Sequence, residues 1–295
     1  MRKLNDVIIE GNIVYAQGLS HSTINSGTIR VLDLKLDIYK PKNSKTKRPC
    51  IVLIHGGGFE HGSKNDPDIV DQANYFSSRG WVVFSIDYRL MADKGTLPNE
   101  WVVFGQKFLP SAIISQFNAL YPAHRDAKAA LRWLIANATK YNIDTNCITV
   151  GGGSAGAVIS NTLGISDLGD YTNEISVNID PTLATTNLSQ IYSIKSILDY
   201  WGSDAGLDAL FQVYGSRRFD YTDAPIFIAH GTNDPTVPFS EAEDLRDKYK
   251  STGADFEFYP LLGFGHGAWN GTANGKSLKQ LAFDFIVKQQ KLKVN

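Results

Sequence analysis

The sequence predicts an α/β fold built on a parallel sheet with helices on both faces. Three observations carry this: short runs that are apolar at nearly every position, helical patterns alternating with them, and glycine-rich turns directly after two of the runs. Ile51-Val-Leu-Ile54 and Trp81-Val-Val-Phe-Ser-Ile-Asp87 are such runs, and Ile69 to Ser78 between them reads as a helix stopped at Gly80. Strand, helix and strand of this kind form a βαβ unit.

Ahead of that unit, residues 7 to 15 and 28 to 39 alternate apolar and polar side chains, the period of half-buried antiparallel strands, and are expected to pair at a sheet edge. Residues 41 to 49, bounded by prolines and rich in cations, read as a solvated loop. Residues 91 to 121 fit the alternation poorly. They carry Trp101, Phe104, Leu109, Ile113 and Phe117, with Pro98 and Pro110 placed to interrupt a long helix. An insertion leaving the carboxyl end of a strand lies beside the ligand site of an open α/β sheet, so this stretch is expected to form a small cap.

A helix is expected from Ala123 to roughly Thr139, with Ala127, Ala130, Leu131, Leu134 and Ile135 on one face. Cys147 begins the next strand, and its helix runs to about Leu163. Residues 166 to 192, rich in Asn, Thr, Ser and Asp, read as a surface excursion. Strands return at 194 to 200, 225 to 229 and 256 to 261, with helices over 240 to 249 and 276 to 290. The whole, 1 to 295, is expected to be one domain.

Composition narrows the partners. Lys and Arg total 29 against 30 Asp and Glu, a formal charge of −1, and the longest basic run is Lys45 to Arg48. Neither nucleic acid nor an anionic membrane surface is implied, which leaves a small molecule as the expected partner, with the chain itself a monomer or homodimer. Two cysteines, Cys50 and Cys147, make no disulfide framework or zinc site and read as buried free thiols. No apolar run approaches the ~20 residues of a membrane span, and the first residues lack the apolar centre of a signal peptide. As written the chain reads as cytoplasmic; a mature secreted form with an added Met1 would read the same.

The chemistry concentrates at strand ends. Cys147-Ile-Thr-Val-Gly-Gly-Gly-Ser-Ala-Gly156 is a strand, a sharp turn and the start of a helix, and Gly152 to Gly156 match G-x-S-x-G, the turn that presents a serine hydroxyl beyond a strand. Such a serine needs an imidazole to take its proton and a carboxylate to fix that imidazole. Asp234 follows the strand at 225 to 229, and His266 follows the strand at 256 to 261. The order is Ser154, Asp234, His266, with separations 234 − 154 = 80 and 266 − 234 = 32. His55-Gly-Gly-Gly-Phe59 closes another buried strand and leaves backbone N–H groups free to face a developing oxyanion. Gly57, Gly58 and Ala155 are the expected donors.

Asp204, after the preceding strand, is the rival acid. His55 and His230 are read as ordering their own loops, and His21, His61 and His124 as lying outside the motifs. Asp87-Tyr-Arg-Leu90 with Arg125-Asp126 reads as a buried charge network.

With these residues in hand, the chain resembles the α/β-hydrolase superfamily, and within it the HGGG-containing carboxylesterases similar to hormone-sensitive lipase. Leu36-Asp-Ile-Tyr-Lys-Pro41, His55 to Phe59, Asp87 to Leu90, Gly152 to Gly156, Asp234 and His266 carry the resemblance. It implies a mostly parallel sheet of about eight strands flanked by helices, and a serine carboxylesterase or lipase working through an acyl-enzyme without metal or cofactor. Two departures stand out. The family commonly has an acidic residue directly before the serine, here Gly153, and its helical cap precedes the first strands, where this chain has too few residues. The loop from His230 to Phe239 also resembles the acid loop of prolyl-oligopeptidase-type peptidases and feruloyl esterases. A peptidase or amidase, or a feruloyl or polyester esterase, therefore stands as the alternative, and a non-catalytic binding protein on the same fold is the remotest reading.

Overall fold

The computed structural model describes residues 4–43 and 47–293. It opens with a long antiparallel hairpin, β1 (Val7–Thr23) and β2 (Ser26–Pro41). Both strands run past the alternating stretches, because the second half of β1 is fixed by tertiary contacts that its composition does not advertise. The Arg89 guanidinium lies over Gly18, where an added Cβ would come within 2.7 Å of it, and the Gln17 N–H donates to the Thr185 hydroxyl at 2.8 Å. The basic run expected at 45 to 48 falls partly outside the described residues.

The hairpin is the edge of an eight-stranded sheet in the order β1-β2-β4-β3-β5-β6-β7-β8. β3 (Arg48–Ile54), β4 (Val82–Ile86), β5 (Ile143–Gly153), β6 (Ser196–Tyr200), β7 (Ile226–Gly231) and β8 (Phe256–Leu261) are parallel, and β2 pairs antiparallel with β4. The parallel strands β3, β4, β6 and β7 are buried along almost their whole length, which accounts for their largely apolar runs, within which Ser85, Ser196 and Asp199 are buried polar exceptions. β5 is longer than expected, so Cys147 sits within it, half-buried, whereas Cys50 in β3 is buried.

Helices cover both faces. α1 (Pro67–Ser77) and a closing helix, α7 (Leu278–Gln289), pack Ile69, Phe76, Leu281 and Phe285 on one side. On the other lie α2 (Asn99–Phe108), α3 (Ser111–Ala136), α4 (Ala155–Ile165), α5 (Ala205–Tyr214) and α6 (Phe239–Thr252), which build the larger core around Trp101, Leu131, Ile159 and Tyr249. α5, which buries Leu207, Ala209 and Leu210, lies where no helix is expected from the sequence.

Two expectations are corrected here. The prolines interrupt as expected, Pro110 standing between α2 and α3, and each also serves as the N-cap of the helix that follows it, so the first correction concerns where α3 starts. α3 begins twelve residues ahead of the expected start at Ala123 and runs through Pro122. Side chains take helix carbonyls around that proline: the Trp101 indole donates to Phe117 O at 3.2 Å, and His124 Nδ1 to Leu120 O at 2.6 Å. The second correction concerns 166 to 192. It is irregular and surface-running, but Tyr171 within it is fully buried against Trp101, Tyr121 and His124. None of the helices among the described residues is long and apolar enough to cross a membrane.

Candidate active site

From β3 the chain first moves outward to β4 and then crosses back over to β5, so the sheet has its topological switch point between β3 and β5. The carboxyl ends of those two strands carry His55 to Gly58 and Ser154. Ser154 has φ 55° and ψ −123°, a backbone conformation that costs energy for any side-chain-bearing residue and is held here by its own N–H donating to Tyr200 O at 2.9 Å. The flanking glycines are sterically required. A Cβ on Gly152 would lie 2.3 Å from Ile54 O, and one on Gly156 would lie 2.1 Å from the same atom. The turn is this tight because β3 ends directly beneath it.

Gly153, where the resembled family carries an acid, has a further reason. A Cβ there would lie 2.9 Å from the Trp269 ring and 3.1 Å from Trp201 Nε1, two indoles packed edge to face at 4.7 Å. Aromatic rings occupy the space in which an acidic side chain would stand.

Asp234 and His266, 32 residues apart, meet directly. His266 Nδ1 donates to Asp234 Oδ2 at 2.8 Å, while Asp234 Oδ1 accepts the N–H groups of Thr236 at 2.8 Å and Val237 at 3.0 Å. Burial alone would raise the Asp234 pKa, but the His266 bond, the two backbone donors and the nearby imidazole outweigh it, and the carboxyl lies below its ordinary value. The His266 ring and the Ser154 hydroxyl face one cavity of about 200 Å³, together with Gly56, Gly57 and Trp269; no hydrogen bond joins them among the described residues. Asp204, the rival acid, pairs with Lys248 at 2.5 Å.

The His55 to Phe59 loop lies across from the elbow, with Gly57 at φ 103°, Gly58 at φ 62° and Phe59 at φ 64°. Gly57 O accepts from the N–H groups of Glu60 and His61, which curls the loop, while the N–H groups of Gly57 and Gly58 have no acceptor among the described residues. A Cβ on Gly57 would lie 2.1 Å from His61 O. Tyr88 fixes the base of the loop: its hydroxyl donates to His55 O at 3.0 Å and its ring stacks on His55 at 4.3 Å. His55 is buried, which lowers its pKa, and its Nδ1 donates to Gly56 O. It orders the loop, as expected from its place in the motif.

A second cavity, of about 460 Å³, also reaches Ser154, and lies on the side of Gly58 and Ala155. Leu109, Ile113, Gln116, Phe117 and Leu120 line it, all within the 91 to 121 stretch, and Gln116 Nε2 donates to Gly58 O at 3.3 Å. Two features here escape the sequence. Gln116 links the start of α3 to the glycine loop, and His230, which bonds within its own loop as read from the sequence, also lies beside Asp234 Oδ2. His230 is fully buried; its Nε2 donates to Val237 O at 2.9 Å and lies 3.3 Å from Asp234 Oδ2. Its position at the end of β7, four residues before Asp234, was the available signal. His21 and His61 stand clear of the Asp234–His266 pair, although His61 borders the smaller cavity. In the charge network, Arg89 and Asp126 form a buried bidentate pair at 2.6 and 2.9 Å, while Asp87 accepts the Lys64 N–H and Arg125 bonds Ile175 O.

Strand order, elbow and the placement of these side chains define an α/β-hydrolase fold. The chain belongs to the BD-FAE family, whose model matches residues 36–100 and 114–212, more than half of its length. Among curated relatives it is similar to Esterase LipC of Mycobacterium tuberculosis, at 25% identity over 256 residues covering 79% of this chain and 56% of that protein. It is also similar to mouse Carboxylesterase 3B, at 33% identity over 140 residues covering 46% of this chain and 21% of that protein. The chain thus spans little more than half, or about a fifth, of the length of these relatives. Among solved structures, propionate-bound Est2 of Thermogutta terrifontis superposes with a TM-score of 0.64 at 22% identity, covering 91% of this chain and 94% of that one, a likeness of fold.

Proposed function

We propose that the protein is a serine carboxylesterase that hydrolyses small-molecule carboxylic esters through an acyl-enzyme. The observation that carries this reading is the Asp234–His266 hydrogen bond at 2.8 Å, with that imidazole and the strained Ser154 elbow opening into one cavity. Membership of the BD-FAE family and similarity to proteins named as esterases support it.

In this mechanism Ser154 Oγ attacks the ester carbonyl carbon as His266 Nε2 takes its proton. Asp234 holds Nδ1–H, so the tautomer that leaves Nε2 free to accept is the one present, and the carboxylate stabilises the imidazolium that forms. The carbonyl oxygen gains negative charge and is met by the N–H groups of Gly57, Gly58 and Ala155, each worth roughly 3 to 4 kcal/mol to the transition state. The carbon–oxygen bond to the alcohol breaks, and His266 returns the proton to the departing oxygen. Water then repeats the sequence on the acyl-enzyme. The segment 91 to 121 serves as a cap, its wall from Leu109 to Leu120 forming one side of the larger cavity within a single domain.

The test is Ser154→Ala assayed with p-nitrophenyl acetate, alongside labelling by a fluorophosphonate probe. Hydrolysis should fall to a trace and labelling should vanish. Substantial turnover by the variant would sink the assignment.

A further inference from the structure

We infer that the protein has a second ligand site, apart from Ser154, that takes a small apolar monocarboxylate of the kind ester hydrolysis releases. The site stands on its own lining; only the source of the ligand rests on the esterase reading.

It is a cavity of about 500 Å³ between the tip of the β1–β2 hairpin, the turn at 90–97 and the first half of α3, a volume within the range of small-molecule sites. α3 separates it from the reacting serine. Ile113, Phe117 and Leu120 border the larger cavity at Ser154, whereas Ile114, Asn118 and Pro122, on the neighbouring stripe of the helix, border this one. Among the described residues none borders both. The walls are held by contacts of their own. Asn25 clamps Leu97, its Oδ1 accepting the Leu97 N–H and its Nδ2 donating to Leu97 O, each at 2.8 Å. Gly95 lets the turn close onto α3, where an added Cβ would lie 2.6 Å from Pro122 Cβ.

The lining sets the chemistry of the ligand. Ile24, Leu90, Met91, Leu97, Ile114 and Ala119 give it an apolar wall, and Lys94 is its one ionisable side chain among the described residues. Lys94 is held at φ 46°, the left-handed region that a residue with a Cβ enters at a cost, and its ammonium is tethered to Ser22 O at 2.6 Å. That bond uses one of three N–H donors. No carboxylate pairs with Lys94 among the described residues: adjacent Asp93 accepts the Leu90 N–H and pairs with Arg30. Asn118 Oδ1, a buried acceptor of a residue on the same lining, has no hydrogen-bond partner among the described residues and repels a carboxylate, which leaves Lys94 as the place for the head. An anionic head at Lys94 with a hydrocarbon tail along the apolar wall meets both features at once. A dicarboxylate would bury its second charge without a partner.

The experiment titrates sodium octanoate calorimetrically into the full chain after Ser154 has been blocked with a fluorophosphonate, which removes binding at the elbow. One saturable site should remain. Lys94→Gln should weaken it about five- to tenfold, and octanol, which keeps the tail and lacks the charge, should bind the wild type more weakly than octanoate by a similar factor. Hexanoate, two methylenes shorter, should bind about three- to fifteenfold more weakly than octanoate. Ser115→Trp puts a bulky ring at an exposed position on this lining and should abolish the site. The octanoate-to-octanol ratio does not depend on how much of a variant folds. Loss of all binding once Ser154 is blocked, or residual binding indifferent to both Lys94→Gln and Ser115→Trp, would overturn the second site. A chain that takes no label would overturn the esterase reading instead, and the same titration on the unlabelled chain then decides the second site by itself.

Discussion

His124 offers a sharp quantitative test, because it ties the packing behind the site to pH. It is fully buried in α3, stacked on Tyr171 at 4.6 Å and 6.3 Å from the Phe59 ring, with Nδ1 donating to Leu120 O and Nε2 facing the Thr162 hydroxyl at 3.1 Å. Burial lowers its pKa from 6.5 to about 4, with the helix carbonyls only partly opposing the effect. A histidine depressed on folding binds its proton first in the unfolded chain. Its contribution is therefore fully present above pH ~6.5 and is lost as pH falls from there toward ~4. With a gap of about 2.5 pH units, linkage gives a loss of about 2 kcal/mol between pH 7 and pH 5, rising to about 3 kcal/mol below pH 4.

The perturbation is His124→Phe, which keeps the stacked ring and removes the titrating group. Carboxylates elsewhere also respond to acid, so the quantity that isolates His124 is the difference between wild type and variant. Urea unfolding at pH 7 and pH 5 should show the wild type losing about 2 kcal/mol more than the variant over that interval. The variant starts lower at pH 7, having given up the bond to Leu120 O. If the two proteins lose stability in parallel, His124 is not held neutral by its surroundings and the burial argument fails.

Three further outcomes follow from the site. Gly153→Asp drives a Cβ to within 2.9 Å of Trp269 and 3.1 Å of Trp201, so it should destabilise by about 1 to 3 kcal/mol, and adding Trp269→Ala should recover part of the loss in thermal melts. His230→Leu removes the donor to Val237 O and the imidazole beside Asp234 Oδ2; kcat/KM should fall about tenfold, with His230→Gln recovering some of it because an amide N–H can still reach the same acceptors. Asp204→Ala should leave kcat/KM within about twofold and lower stability by about 1 kcal/mol through loss of the Lys248 pair, whereas a large fall in rate would make Asp204 the acid after all.

What the sequence discloses, and what it hides, divides along physical lines. The buried strands are legible because a strand covered on both faces is apolar at most positions, and the elbow and the glycine loop are legible because their backbones tolerate nothing larger than hydrogen. Gly152, Gly156 and Gly57 are each within 2.3 Å of a clash once a Cβ is added. Misread elements are those whose residues carry two meanings. Proline at 110 both ends one helix and begins the next, and only the packing of Trp101 and Phe117, stacked at 4.6 Å, decides that α3 starts there and not at Ala123. The later half of β1 looks unlike a strand because Gly18 is there to accommodate Arg89, a residue in the turn beyond another strand.

The same reasoning explains why Asp234 and His266 were legible as a pair and His230 was not seen as their support. A carboxylate with four neighbours satisfies them through one oxygen bonded to two backbone N–H groups and another placed between two imidazoles, at 2.8 Å and 3.3 Å. The backbone half of that arrangement is written locally, in Asp234-Pro-Thr-Val, a turn in which an aspartate receives N–H groups two and three residues on. The imidazole half depends on β7 and β8 lying side by side, so that the residue ending one strand and the loop leaving the next converge on one oxygen. Sheet order is a property of the whole chain, and side chains whose meaning depends on it acquire that meaning only once the strands are in place.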